Sequence, residues 1–395
     1  MRSSITALLF VVVACVSWGM FGPVLHEGQM ALGESFAHGG LRPFLCVGIA
    51  YSLIAVVAPL VVLWTHGEAG SWRVTGALWS FAAGMVGAVG TLGVVVAFKF
   101  HGAPIYVMPL VFGLAPVAHL LVATVISGSY RRAGVPFLVA VAMVGAGAAG
   151  VLAFKPASGT ATVAFDEFAV MLVAIGLSAL CWGSSGPMLY QGQRNMDGSL
   201  LRPFLCVGLA YCGIAVLVPL ALLEAVGEPG GWSLSGAGWS LAAGVSAAVG
   251  ALGIVMAFDL GARPTYVMPI VFGCALVVNS VAAVAAEGES GWITLPFGGS
   301  LALLVAGALA VLAFAPPREK RRGISPSTGP SEPGVQDADG VADSSGSISG
   351  LWGAKSRAQR SGEPKTSGTT TTISPPEIED LEETIDPDDT IEWKP

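Results

Sequence analysis

Charge is scarce in this sequence. Asp, Glu, Lys and Arg make up 11% of its 395 residues, whereas soluble domains carry roughly 25%. A soluble chain this poor in charge could not cover its surface. What charge there is lies unevenly: residues 1–316 hold 10 Lys/Arg and 11 Asp/Glu, and residues 317–395 hold 9 and 15. The acidic balance therefore belongs to the tail and says nothing about a basic substrate. Other things are missing too. There is no G-x-x-x-x-G-K-[ST] loop, which speaks against ATP-driven work by this chain alone. There is no H-E-x-x-H, since His26-Glu27 is followed by neither the spacing nor the second His. The six cysteines lie inside apolar runs with no metal or disulfide spacing and read as small packing residues. No cofactor and no enzyme activity are expected, although a lone His among scattered polar residues leaves an intramembrane enzyme open.

Apolar runs of about 20 residues are abundant, enough to cross a bilayer core of roughly 30 Å as helices. They fall near 4–24, 43–64, 75–98, 104–127 and 133–154, then near 167–190, 203–225, 237–258, 264–286 and 296–315. The runs are continuous rather than alternating, which excludes a β-barrel reading. Gly is frequent within them, as at Gly84, Gly87 and Gly90, and in a membrane small residues let helices approach closely. The expected fold is all-α: a polytopic membrane protein of ten transmembrane helices.

Positive charge orients the spans. With the N-terminus in the cytoplasm, the inside segments hold Arg2, Arg73, Arg131, Arg132, Arg194, Arg202, Arg263, Arg318, Lys320, Arg321 and Arg322. The outside segments hold only Arg42, Lys99 and Lys155. Both termini are then cytoplasmic, and the expected location is the cell (inner) membrane. The opening "MRSSITALLFVVVAC" resembles a signal peptide. However, Trp18-Gly19…Gly22-Pro23 recurs inside the chain as Trp182-Gly183…Gly186-Pro187, so the first run is expected to be a retained helix.

"LRPFLCVG" stands at 41–48 and again at 201–208. At an offset of 160, residues 41–60 and 201–220 agree at 15 of 20 positions. "YVMPLVFG" at 106–113 meets "YVMPIVFG" at 266–273, and "VLAFKP" at 151–156 meets "VLAFAP" at 311–316. The first helix pair needs an offset of 164. A five-helix unit is thus written twice, over 1–156 and 164–316. Five is odd, so the second copy starts on the other side of the membrane and the repeats are inverted. Inverted repeats are a hallmark of secondary transporters, with the substrate site near the midplane between halves.

Ten spans, two five-helix repeats, cytoplasmic termini and the Trp-Gly-x-x-Gly-Pro first helix resemble the drug/metabolite transporter superfamily, specifically its EamA-type members. The resemblance covers 1–316. It implies that four helices of each half line a central cavity while the fifth packs peripherally. It also implies export of amino acids or other metabolites, or import of sugars and related solutes. The expected partners are a small-molecule substrate, the lipid bilayer and a coupling proton or ion, and not nucleic acid. The alternative is a non-transporting receptor or scaffold acting through its tail.

Polar groups at membrane depth usually face a cavity or a partner. His119 and its repeat mate Asn279 either line the translocation path or bond between helices, and His119 is a candidate proton carrier. Tyr51 and Tyr211 lie near mid-span, where a hydroxyl needs a partner. Trp18 and Trp182 are placed to stack on a substrate. Tyr106 and Tyr266 read as interfacial belt or gate residues. Pro109 and Pro269 are expected to hinge or break their helices. Lys99 and Asp259, mates on opposite faces, read either as solvated ends or as charged lips of the cavity mouths. Gln29 and Gln193 are expected in solvated loops. Arg42 and Arg202 stand before Pro43 and Pro203 at opposite surfaces. They read as cavity-entrance or inter-half packing groups, or as a duplication not yet diverged. From 317 onward, a basic collar leads into a Pro/Ser/Thr-rich, finally acidic tail that is expected to be disordered.

Overall fold

The computed structural model describes residues 2–33, 39–127, 134–155, 164–262, 264–287 and 294–314. The chain divides into two units, Met1–Gly350 and Leu351–Pro395, and every described residue belongs to the first. The tail expected to be disordered, 317–395, lies outside the described residues.

The described residues form ten helices and no strands. They are α1 Arg2–Leu32, α2 Leu41–Thr65, α3 Val74–Lys99, α4 Pro104–Ser127 and α5 Val135–Ala153. Next come α6 Phe165–Asn195 and α7 Leu201–Ala225, then α8 Leu234–Asp259, α9 Pro264–Glu287 and α10 Leu295–Ala313. All but α9 are long and apolar enough to cross a membrane, and α9 carries a shorter apolar run, Ile270–Ala286. Large apolar side chains such as Leu53, Leu121, Val173 and Leu217 lie exposed on the outer faces. Water would penalise such a surface and lipid would not. The protein is a multi-pass membrane protein.

Neighbours in sequence are seldom the closest neighbours in space. Helix α1 packs on α8 and α9, while α6 packs on α3 and α4. Likewise α2 packs on α8, α7 on α3, and α5 on α10. Helices α1, α8 and α9 thus pack together, as do α3, α4 and α6, while α2 and α7 pack on each other along their lengths and α4 meets α9, each contact joining the two sequence repeats. Glycine permits these approaches. A Cβ on Gly250 would lie 2.5 Å from Trp18 Nε1, and one on Gly90 would lie 2.7 Å from Trp182 Nε1.

Three features depart from the sequence-based expectations. Helices α1 and α6 run on past the end of their apolar runs, to Leu32 and Asn195. Gln29 is accordingly no solvated loop residue: it is fully buried, and its Nε2 donates to Gly39 O at 2.8 Å and Val95 O at 3.0 Å. Gln193 also lies within a helix, α6, and is half-buried. Backbone hydrogen bonding continues a helix wherever its polar side chains find partners. Next, α4 stays helical through Pro109 and Pro116, and the backbone of α9 through position 269. A departure from α-helical geometry is found in another helix. Helix α7 has α-helical arms Leu201–Tyr211 and Val218–Ala225 around a π-helical segment, Cys212–Leu217. Pro219 follows it and cannot donate to the carbonyl one turn back, a fault that a widened turn absorbs. The mate helix α2 holds Pro59 without such a segment.

The glycine packing is testable. Gly90→Val should overlap Trp182 and lower the thermal unfolding midpoint in detergent, since overpacking a tight core typically costs about 1–3 kcal/mol. Gly145→Val, placed where a Cβ meets nothing within 4 Å, should leave it unchanged. Equal effects from both would show that the contact is not what matters.

Candidate functional site

The middle of the molecule is aromatic. Trp18 stacks on Phe112 with centroids 6.5 Å apart and meets Phe272 at 6.1 Å. Trp182 meets Phe112 at 5.7 Å and Phe21 at 5.9 Å. Both indoles are fixed by backbone of the other repeat: Trp18 Nε1 donates to Ala247 O at 3.2 Å, and Trp182 Nε1 to Gly87 O at 3.1 Å. Ala247 and Gly87 are themselves mates at the 160 offset. An indole held this way presents its faces and keeps no donor to spare, which suits stacking rather than hydrogen bonding.

Polar groups flank this cluster along α4 and α9. A Cβ on Gly186 would lie 3.0 Å from His119 Nδ1, and one on Gly22 would lie 2.9 Å from Asn279 Oδ1. His119 and Asn279 thus cover equivalent glycines of α6 and α1. Asn279 is fully buried; its Nδ2 donates to Pro104 O at 3.0 Å, and its Oδ1 has no hydrogen-bond partner among the described residues. Pro104 opens α4, so Asn279 ties the body of α9 to the first residue of α4. Tyr51 and Tyr211 stack face to face with centroids 3.8 Å apart, where α2 crosses α7. Tyr211 Oη and Thr91 Oγ1 are 3.1 Å apart.

Each end of the α2–α7 pair carries a clasp. At one end Glu228 Oε1 accepts from Gly40 N at 2.7 Å and Leu41 N at 2.8 Å, and Oε2 accepts from Arg42 N at 3.1 Å. Arg42 reaches back, donating Nη2 to Glu228 O at 2.6 Å and Nη1 to Pro229 O at 2.9 Å. At the other end Glu68 Oε1 accepts from Leu200 N at 2.7 Å and Leu201 N at 3.0 Å, and Oε2 accepts from Ser199 Oγ. Arg202 donates Nη2 to Glu68 O and Nη1 to Ala69 O, both at 3.1 Å. These are helix N-caps supplied by the other repeat. Orphan amides and the positive end of the helix dipole both favour a carboxylate there. The four side chains are shielded: 11% and 4% exposed for Arg42 and Glu228, 13% and 7% for Arg202 and Glu68.

The turns that deliver the carboxylates depend on glycine. Gly67 and Gly227 follow the ends of α2 and α7 with φ +70° and +73°. That left-handed conformation ends a helix and is costly for other residues. The sequence reading singled out the arginines but not Glu68 and Glu228. The signal was present: Gly67-Glu68-x-Gly70 and Gly227-Glu228-x-Gly230 recur at the same offset of 160.

The remaining candidates sit near the helix ends. Lys99 stands beside the Arg42 clasp, as a Cβ on Gly40 would lie 3.6 Å from its Nζ and 3.2 Å from Glu228 Oε1. Asp259, its mate, closes α8 near enough to Glu68 for the two carboxylates to repel. Tyr106 is fully buried, donating its hydroxyl to His101 O at 2.7 Å. Lys155 Nζ sits 5.1 Å from the Tyr106 and Phe168 ring centroids, and burial lowers its pKa. The side chains of Tyr266 and Pro269 lie outside those described. A cavity of about 390 Å³ opens beside the Arg42 clasp, walled by Leu45, Leu220 and Leu223 with Glu224 and Trp232 at its rim.

Removing one member of a shielded pair strands the other, at about 3–5 kcal/mol. Glu228→Ala should therefore lower the unfolding midpoint and speed amide hydrogen exchange at Gly40 and Leu41. Glu68→Ala should do the same at Leu200 and Leu201. Unchanged exchange at those amides would remove the capping role.

No protein-family model matches this chain, and no curated protein matches it. A solved crystal structure of a protein aligns with 78% of this chain and 97% of its own, at 19% identity and a TM-score of 0.48. Likeness at this level carries no argument about activity.

Proposed function

We propose that the protein is a secondary transporter of the drug/metabolite type, EamA-like. In this reading two inverted five-helix repeats move a small metabolite across the plasma membrane by alternating access. The termini are cytoplasmic, following the positive-charge bias of the loops. The substrate is an amino acid, sugar or related solute, neutral or zwitterionic, because the helices carry few fixed charges at depth.

One observation carries the reading. Contacts between repeats come in pairs, with each residue exchanged for its mate: Arg42 with Glu228 and Arg202 with Glu68, Trp18 on Ala247 and Trp182 on Gly87, Tyr51 on Tyr211. Reciprocal exchange is what a pseudo-two-fold axis produces, and a five-span unit places that axis in the membrane plane. A protein so built has two near-equivalent ways to arrange its halves, one open to each side. The translocation path then passes the aromatic cluster, with Asn279 and His119 beyond it on either side. The indole faces bind the substrate by stacking, and His119 couples movement to protons.

The test is a thermal-stabilisation screen of the purified chain with amino acids, sugars, nucleosides and organic cations, followed by flux in liposomes. One solute class should stabilise the protein and be carried. Trp18→Ala and Trp182→Ala should each reduce flux tenfold or more, as losing one good contact of about 1.4 kcal/mol implies. His119→Ala should abolish the response to a pH gradient. Neither binding nor flux for any class would sink the reading.

A further inference from the structure

One charged side chain at the end of α7 has no charged counterpart in the other repeat. Glu224 stands in the last turn of that helix, and the mate position in α2 is Trp64. The negative end of a helix dipole disfavours a carboxylate and favours a cation. Glu224 nevertheless lies exposed. The ion pairs among the described residues, Arg42–Glu228, Arg202–Glu68, Arg73–Asp197 and His101–Glu167, leave it out. It borders the cavity of about 390 Å³ beside Arg42, a size in the range of small-ligand sites.

That cavity has an apolar part and a polar part. Leu45, Leu220 and Leu223 form a wall that runs on into the lipid-facing surface, Leu220 being 47% exposed. Glu224, Arg42 and Trp232 form the rim. Four residues of helix, about 6 Å, separate Leu220 from Glu224. Trp232 is 60% exposed and marks the depth at which indoles settle, among the lipid headgroups. A molecule that fills both parts has a polar head and an apolar body, as a membrane lipid has.

Charge decides which head fits. Arg42 lies 3.9 Å from Glu228 and spends its fork on Glu228 O and Pro229 O. These two charges offset each other, and Lys99, which stands by the same Gly40, does not line the cavity. Glu224 therefore gives the rim a surplus negative charge. Trp232 is a single ring with Arg42 6.0 Å from its centroid, which makes no aromatic cage for a quaternary ammonium. A primary ammonium carries N–H donors that bond a carboxylate directly. We propose that this cavity binds a phospholipid with a primary-amine headgroup, of the phosphatidylethanolamine class. Its ammonium pairs with Glu224 and an acyl chain lies along Leu220 and Leu223, leaving the phosphate to water and to the Arg42 side of the rim. With Trp64 at the mate position, the carboxylate is present in one leaflet only. None of this requires transport.

The full-length protein, purified in detergent and exchanged into lipid of one class at a time, is weighed by native mass spectrometry. Phosphatidylethanolamine should stay bound, one copy per chain, under activation that strips phosphatidylcholine and phosphatidylglycerol. Glu224→Gln should cut its retention by about threefold, as loss of an exposed ion pair allows, and erase the preference over phosphatidylcholine. Glu224→Lys should turn the preference toward phosphatidylglycerol. Leu222→Ala, next to the cavity but not lining it, should change nothing. Equal retention of the three lipids, or an unchanged preference in Glu224→Gln, would mean annular lipid only and overturn the proposal. Displacement of the lipid by free phosphoethanolamine would overturn it as well, since the cavity would then take a soluble headgroup without its chains.

Discussion

A helix whose first turn is buried in protein needs partners for its amides, because water cannot supply them there. In this protein α2 and α7 take those partners from each other's C-terminal turns. Neither helix start is complete without a carboxylate from the opposite repeat. The arginine that follows each start holds the donor loop in place by its backbone oxygens. Removing either element strands polar groups on both sides of the contact, so the α2–α7 pair behaves as one unit with two ends.

The rest of the packing follows the same exchange. Helix α1 leaves its own repeat to lie on α8 and α9, and α6 does likewise on α3 and α4. The tryptophans lock these crossings by bonding to carbonyls of the helix they cross. The sequence repeats are therefore not the packing groups.

Much of the fold was legible in the sequence, because apolar runs of bilayer length leave few alternatives. The repeat was legible from "LRPFLCVG" and "YVMP". Three things were not. The ends of α1 and α6 are hidden because hydropathy stops reporting on a helix once polar residues such as Gln29 find partners inside the protein. The π segment of α7 is hidden because α2 carries a proline at the same place without one. Within the π segment the mates differ only at Ser52/Cys212, Leu53/Gly213 and Val57/Leu217. The carboxylates of the clasps were missed because loop residues in a membrane protein are read first for topology, where acids carry little weight. Of the site candidates, Trp18 and Trp182 gather at the centre, while Lys99, Asp259, Arg42 and Arg202 gather at the ends. Asn279 bonds to the start of α4.

The clasp has one more property. Arg42 and Glu68 sit at opposite ends of one helix in the first repeat, and Arg202 and Glu228 do so in the second. Donor pairs with acceptor and acceptor with donor, the rule for an isologous interface. Each half thus displays a complete, self-complementary surface, the kind by which two copies of a single short chain join as a symmetric homodimer. Covalent linkage keeps both members of each clasp in one chain, so their meeting does not depend on protein concentration.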